Sequence, residues 1–179
     1  MRIFFSGGCK NGKSTLAERS VKALAGEGPL YYIATMIPHD EEDRERIRRH
    51  VASRAGMGFE TLEQGTDVLR CLDRADVHGA YLLDSVTALL SNEMFLPDGS
   101  MDRHAGKRLA GELTELARRV DNIVFVSDFI YSDSGLYDSF TEDYRAALAE
   151  CDRALAAACD TVVEVFSTNP IIYKGRLPF

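Results

Sequence analysis

Eight residues near the start of the chain constrain it more than any others: Gly7-Gly8-Cys9-Lys10-Asn11-Gly12-Lys13-Ser14, which fits the pattern G-x-x-x-x-G-K-[ST]. An apolar run over residues 3–5 precedes it and reads as a short buried strand. A helix-forming segment over residues 13–24 follows, with Leu16, Val21 and Leu24 for its inner face. In that setting the glycines let backbone N–H groups curl around phosphate oxygens, and the new helix points its positive end at them. The Lys13 ammonium would reach the β- and γ-phosphates, and the Ser14 hydroxyl would ligand Mg²⁺. Thr15, the next residue, is expected to bind the nucleotide together with residues 7–14. A glycine turn arising by chance is the alternative, and the flanking strand and helix argue against it.

The rest of the chain reads as strands alternating with helices. Strands are expected at residues 30–34, 59–62, 80–84 and 123–126, and helices at 40–54, 68–76, 85–95, 104–119 and 140–158. A closing hairpin is expected from residues 162–166 and 171–173, turning at Asn169-Pro170. The expected fold is α/β of the P-loop NTPase (RecA-like) type, a single domain over residues 1–179. Its sheet is largely parallel, with helices on both faces and a C-terminal antiparallel hairpin. In the helix at 40–54, Glu42–Arg46 and Glu45–Arg49 are spaced as i,i+4 pairs.

Composition limits the function. A net charge of −7 excludes a fold-wide basic surface, so nucleic acid is not an expected partner. Ser6, Gly7 and Gly8 interrupt the N-terminal apolar run, and no stretch is apolar enough to span a membrane. The four cysteines lack metal-ligand spacing, and a cytoplasmic location is expected.

Two further residues stand out. Asp84 ends a buried strand and is placed to serve the Mg²⁺ with Ser14; capping the helix that begins at Ser85 is its other possible role. His50 has Arg46 and Arg54 four residues to either side, a face that could attract phosphates and keep the imidazole neutral as a nucleophile. The plain alternative is a solvated helix face carrying an incidental histidine.

Residues 7–14, then Tyr32-Ile33-Ala34-Thr35, Arg46-Ile47 and His50 resemble the bifunctional adenosylcobinamide kinase/adenosylcobinamide-phosphate guanylyltransferase family of cobalamin assembly. Leu82-Leu83-Asp84-Ser85-Val86-Thr87 with Asn92 and Phe95 is similar to that family's next block, and the late Lys174-Gly175 matches in outline. The resemblance covers nearly the whole chain. It implies two reactions: phosphorylation of the aminopropanol hydroxyl of adenosylcobinamide, and transfer of GMP from GTP through a histidine in the position of His50. It also implies a corrinoid substrate, GTP with ATP as a possible phosphoryl donor, a nucleotide site that includes Thr35, and a homotrimer. Departures gather in one region. Where the family has Thr-Asn-Glu-Val-Gly, this chain has Ser127-Asp128-Phe129-Ile130-Tyr131. Phe-Arg-Asp becomes Tyr144-Arg145-Ala146, and Asn-Gln becomes Asp152-Arg153. The chain reads as a divergent member, with a kinase-only or altered-acceptor member of the family and a nucleotide-gated regulatory P-loop protein as the alternatives.

Overall fold

The computed structural model describes the backbone of residues 1–179 and every side chain but that of Ser53. Seven strands form one sheet: β1 (Arg2–Gly7), β2 (Leu30–Ala34), β3 (Glu60–Glu63), β4 (Ala80–Asp84), β5 (Asn122–Val126), β6 (Thr161–Phe166) and β7 (Asn169–Lys174). Their spatial order is β3-β2-β4-β5-β1-β6-β7, parallel throughout except for β7 against β6. The helices are α1 (Lys13–Ala25), α2 (Glu41–Ser53), α3 (Val86–Met94), α4 (Ala105–Arg119) and α5 (Ser139–Ala158). A 3-10 helix covers Val68–Arg74, where the sequence suggested an ordinary helical segment.

The central strands are apolar without alternation because both their faces are covered. On one side Ile3, Phe5, Leu82 and Val124 pack with Ala17 and Val21 of α1. On the other, Phe4, Tyr81, Leu83 and Phe125 pack with α3, α4 and α5 through Leu89, Leu113 and Leu148. This sandwich brings the C-terminal ends of β1, β4 and β5 together at one edge, where open α/β sheets bind ligands.

Two further local expectations are corrected. In α2, Asp40 accepts from the Asp43 N–H as N-cap, but the ion pairs differ from the expected i,i+4 set. Arg48 reaches Glu41 and Glu45, and Arg44 reaches Glu41. The acidic first turn draws the arginines toward its own end. The hairpin turns at Ser167 and Thr168, whose φ values are 47° and 68°, while Asn169 and Pro170 already pair within β7. A two-residue turn with both φ positive matches the twist of the strands, and Pro170 is tolerated because β7 is an edge.

Asp152 lies on the inner face of α5 and is 3% exposed. Its Oδ2 accepts a 2.9 Å hydrogen bond from Tyr131, and burial pushes its pKa up to about 6, with the Ser127 and Tyr131 hydroxyls holding it partly down. An unfolded aspartate ionises near pH 4, so the folded state binds the proton more tightly. Stability therefore falls as pH rises from about 4 to about 6 and stays low above, by about 3 kcal/mol. Asp152→Asn should be more stable than wild type at pH 8, with the gap closing toward pH 4. Denaturant titrations at both pH values measure it, and a gap independent of pH would refute the assignment.

Candidate active site

The loop at residues 7–12 leaves β1 and enters α1. Gly7 has φ 149° in space where a Cβ would lie 2.5 Å from the Val165 carbonyl, and Gly12 has φ 93°, so both need glycine. The Asn11 side chain donates to Val165 O, and the Thr168 N–H donates to Asn11 O at 2.9 Å. The hairpin thus clasps the loop from outside.

Lys13 folds back into the loop and is 6% exposed. Its Nζ donates to Gly7 O at 2.9 Å, to Gly8 O at 2.7 Å and to Asp128 Oδ1 at 2.9 Å. The ammonium is therefore held over the mouth of the loop, with its three donors directed at three oxygens. Asp84 stands at the end of β4. Its Oδ2 accepts from Ser14 Oγ at 3.3 Å and from Tyr32 OH at 3.0 Å. Burial, with the Asp84 charge behind it, raises the Tyr32 phenol well above its ordinary range, so it stays a donor. Ser85, not Asp84, caps α3, its Oγ accepting from the Ala88 N–H. The carboxylate is thus directed to the loop, and the capping role falls away.

The other expected site residues divide. Cys9, Lys10 and Thr15 are exposed at the loop and the start of α1. Arg46 and His50 are exposed on α2. Arg54 does not share their surface: it follows the last helical residue, is 7% exposed, and stacks its guanidinium 3.5 Å from the Tyr32 ring centroid. Thr35 is fully buried and does not present its hydroxyl to the loop. That hydroxyl donates to Ser85 O and accepts from Ser85 N–H, which fixes the β4–α3 junction beside Asp84.

Sequence reasoning passed over Tyr32 as a side chain and met Asp128 only as a departure from the family pattern, with no site role, although Asp128 follows a core strand as directly as Asp84 ends one. Asp128 is tied down by its own N–H, which donates to Thr87 Oγ1 at 2.9 Å. Four of the departures noted in the sequence also converge. Phe129, Tyr131, Asp152 and Arg153 share one cavity of about 280 Å³ with Phe4 and Tyr173, between α5 and the β1–β6–β7 side of the sheet.

Cys9 is exposed, while Cys71, Cys151 and Cys159 are buried with thiols pushed up to about 11, 12 and 12 by burial. Thiolate is the reactive form, so an alkylating agent at pH 8 should label Cys9. If phosphates occupy the loop, Mg-GTP should slow that labelling at least several-fold. Equal rates with and without nucleotide, read by peptide mass spectrometry, would count against such occupancy.

A glycine loop between a central parallel strand and its helix, with a buried lysine and a strand-end carboxylate, defines an α/β fold of the P-loop NTPase type. A solved protein of Pyrococcus horikoshii OT3 is similar in fold alone, with a TM-score of 0.51 at 8% identity, covering 97% of this chain and 86% of that one. The model of the cobinamide kinase/cobinamide phosphate guanyltransferase family, CobU, matches residues 3–172, and the chain belongs to that family. The bifunctional adenosylcobalamin biosynthesis protein CobP of Pseudomonas aeruginosa is similar, 29% identical over 183 residues that span 98% of this chain and 99% of that protein.

Proposed function

We propose that the protein phosphorylates adenosylcobinamide and then transfers GMP from GTP to the adenosylcobinamide phosphate through His50. The observation that carries the reading is the Lys13 ammonium held over the loop, beside the Ser14–Asp84 pair, in a chain of this family. Triphosphate oxygens would take over contacts of Lys13 and of the N–H groups at the start of α1. Two protein oxygens 3.3 Å apart suit Mg²⁺, which keeps most of its shell for water and phosphate. Bound there, Mg²⁺ would neutralise charge on the β- and γ-phosphates. Tyr32 orients Asp84 for that task through its hydrogen bond. On the family pattern the protein acts as a homotrimer.

Incubation with α-labelled and with γ-labelled GTP, with and without adenosylcobinamide, tests the proposal. Transfer of γ-label to the corrinoid and of α-label first to protein and then to the corrinoid phosphate is the expected result. Neither transfer, with ATP also tried as donor, would overturn it. A second reading, a kinase acting on an altered acceptor, is favoured by the cavity in which Phe129, Tyr131, Asp152 and Arg153 gather. Corrinoid-independent alcohols phosphorylated in place of adenosylcobinamide would select it.

A further inference from the structure

Two carboxylates approach the loop from neighbouring strands, and their surroundings separate them. Asp84, after β4, is engaged by the hydroxyls of Ser14 and Tyr32. Asp128, two positions past the end of β5, is engaged by the Lys13 ammonium at 2.9 Å and is 28% exposed. The Thr87 hydroxyl fixes its backbone, and the Tyr144 hydroxyl in turn donates to Thr87 O at 2.8 Å, so α3 and α5 both hold the position. The charged and titratable groups around Asp128 are Lys13 from the loop and Tyr144 and Asp152 from α5.

Lys13 has three donors and directs them at Gly7 O, Gly8 O and Asp128. An arriving γ-phosphate must displace at least one of these. The two carbonyls belong to the loop backbone, whereas Asp128 is a side chain that can turn. Once released, its carboxylate would face a phosphate held by the same Lys13 ammonium, an anion in place of the cation it lost. An attacking hydroxyl must give up its proton at this same place.

We propose that Asp128 is the general base of the phosphoryl-transfer step. The attacking hydroxyl oxygen forms its bond to the γ-phosphorus while its proton passes to the Asp128 carboxylate. The bond from the γ-phosphorus to the β,γ-bridging oxygen breaks, and that oxygen keeps the electron pair, stabilised by Lys13. The family's asparagine at this position cannot accept the proton as a carboxylate does, so this chain would carry a base of its own. The inference rests on the kinase half of the proposed function.

Asp128→Asn and Asp128→Glu test it in the full-length protein. With γ-labelled nucleotide and adenosylcobinamide, Asp128→Asn should lower kcat by about 10²- to 10³-fold. The KM for the corrinoid should be little changed, and binding of a fluorescent triphosphate analogue no weaker. The rise of the wild-type rate with pH on the acid side should vanish in Asp128→Asn and return in Asp128→Glu. A kcat within about threefold of wild type, an unchanged acid limb, or a rate loss matched by lost nucleotide binding would each overturn the assignment. The last would mean that Asp128 only positions Lys13. If wild-type protein ignores adenosylcobinamide, the proposed function fails separately. Slow γ-phosphate hydrolysis, with water as the attacking O–H, then decides Asp128: the same drop supports it and no drop overturns it.

Discussion

Lys13→Ala should lose phosphoryl transfer by three to four orders of magnitude, about 4–5 kcal/mol of transition-state stabilisation. In the folded protein this ammonium is the positive charge inside the loop, 6% exposed and bonded to Gly7 O, Gly8 O and Asp128. Without it those three oxygens converge on an empty space. The Asp128 carboxylate would then repel the phosphates that, on the proposed route, it makes way for. Two losses add: a donor to the β- and γ-oxygens, and the screen between substrate and carboxylate. Thermal denaturation should show that the sheet survives, since the lysine packs at the strand ends and not in either apolar layer. Turnover within tenfold of wild type would refute the placement of the triphosphate on this loop.

His50→Ala should separate the two half-reactions. On the proposed route the imidazole nitrogen attacks the α-phosphorus of GTP, the bond to pyrophosphate breaks, and GMP remains as an acid-labile, alkali-stable phosphoramidate. Intact-mass analysis after GTP treatment should show that adduct in wild type and none in His50→Ala, while phosphorylation of adenosylcobinamide continues. Because His50 is exposed on α2, the substitution should shift stability by no more than about 0.5 kcal/mol. The structure narrows the supporting argument. Arg54 is stacked on Tyr32 and buried, so of the two arginines spaced four residues from His50 Arg46 is the one that stays exposed on α2. Wild-type protein that never gains the mass of GMP near neutral pH would leave the kinase step alone.

The layers of the fold were legible because the sequence carries them locally. Buried strands such as β4 and β5 are unbroken apolar runs, and Gly12 and Gly26 bracket α1. The loop was legible for the same reason, since its residues are contiguous. What stayed hidden depends on chain segments far apart. Asp128 meets Lys13 across 115 positions, and nothing in its neighbours announces the pairing. Thr35 looked like a ligand contact because a motif contains it; only β4 lying beside β2 shows its hydroxyl tied to Ser85. Arg54 followed helical spacing on paper, yet the helix ends one residue before it, and the aromatic face of Tyr32 captures the guanidinium. The hairpin turn was misplaced because Asn-Pro is a stronger local turn signal than Ser-Thr, and strand register decided against it.

The clasp between the loop and the β6–β7 hairpin bears on how the protein is made. Asn11 is anchored to Val165 and Thr168, 154 or more positions later in the chain. Residues 7–14 leave the ribosome well before the strand that holds them in shape. A nascent chain paused before β6 should carry the complete glycine motif and still fail to retain triphosphate. Nucleotide capture would then report that synthesis has passed the β6–β7 hairpin, and the ligand would stabilise chains that carry the hairpin over chains that do not.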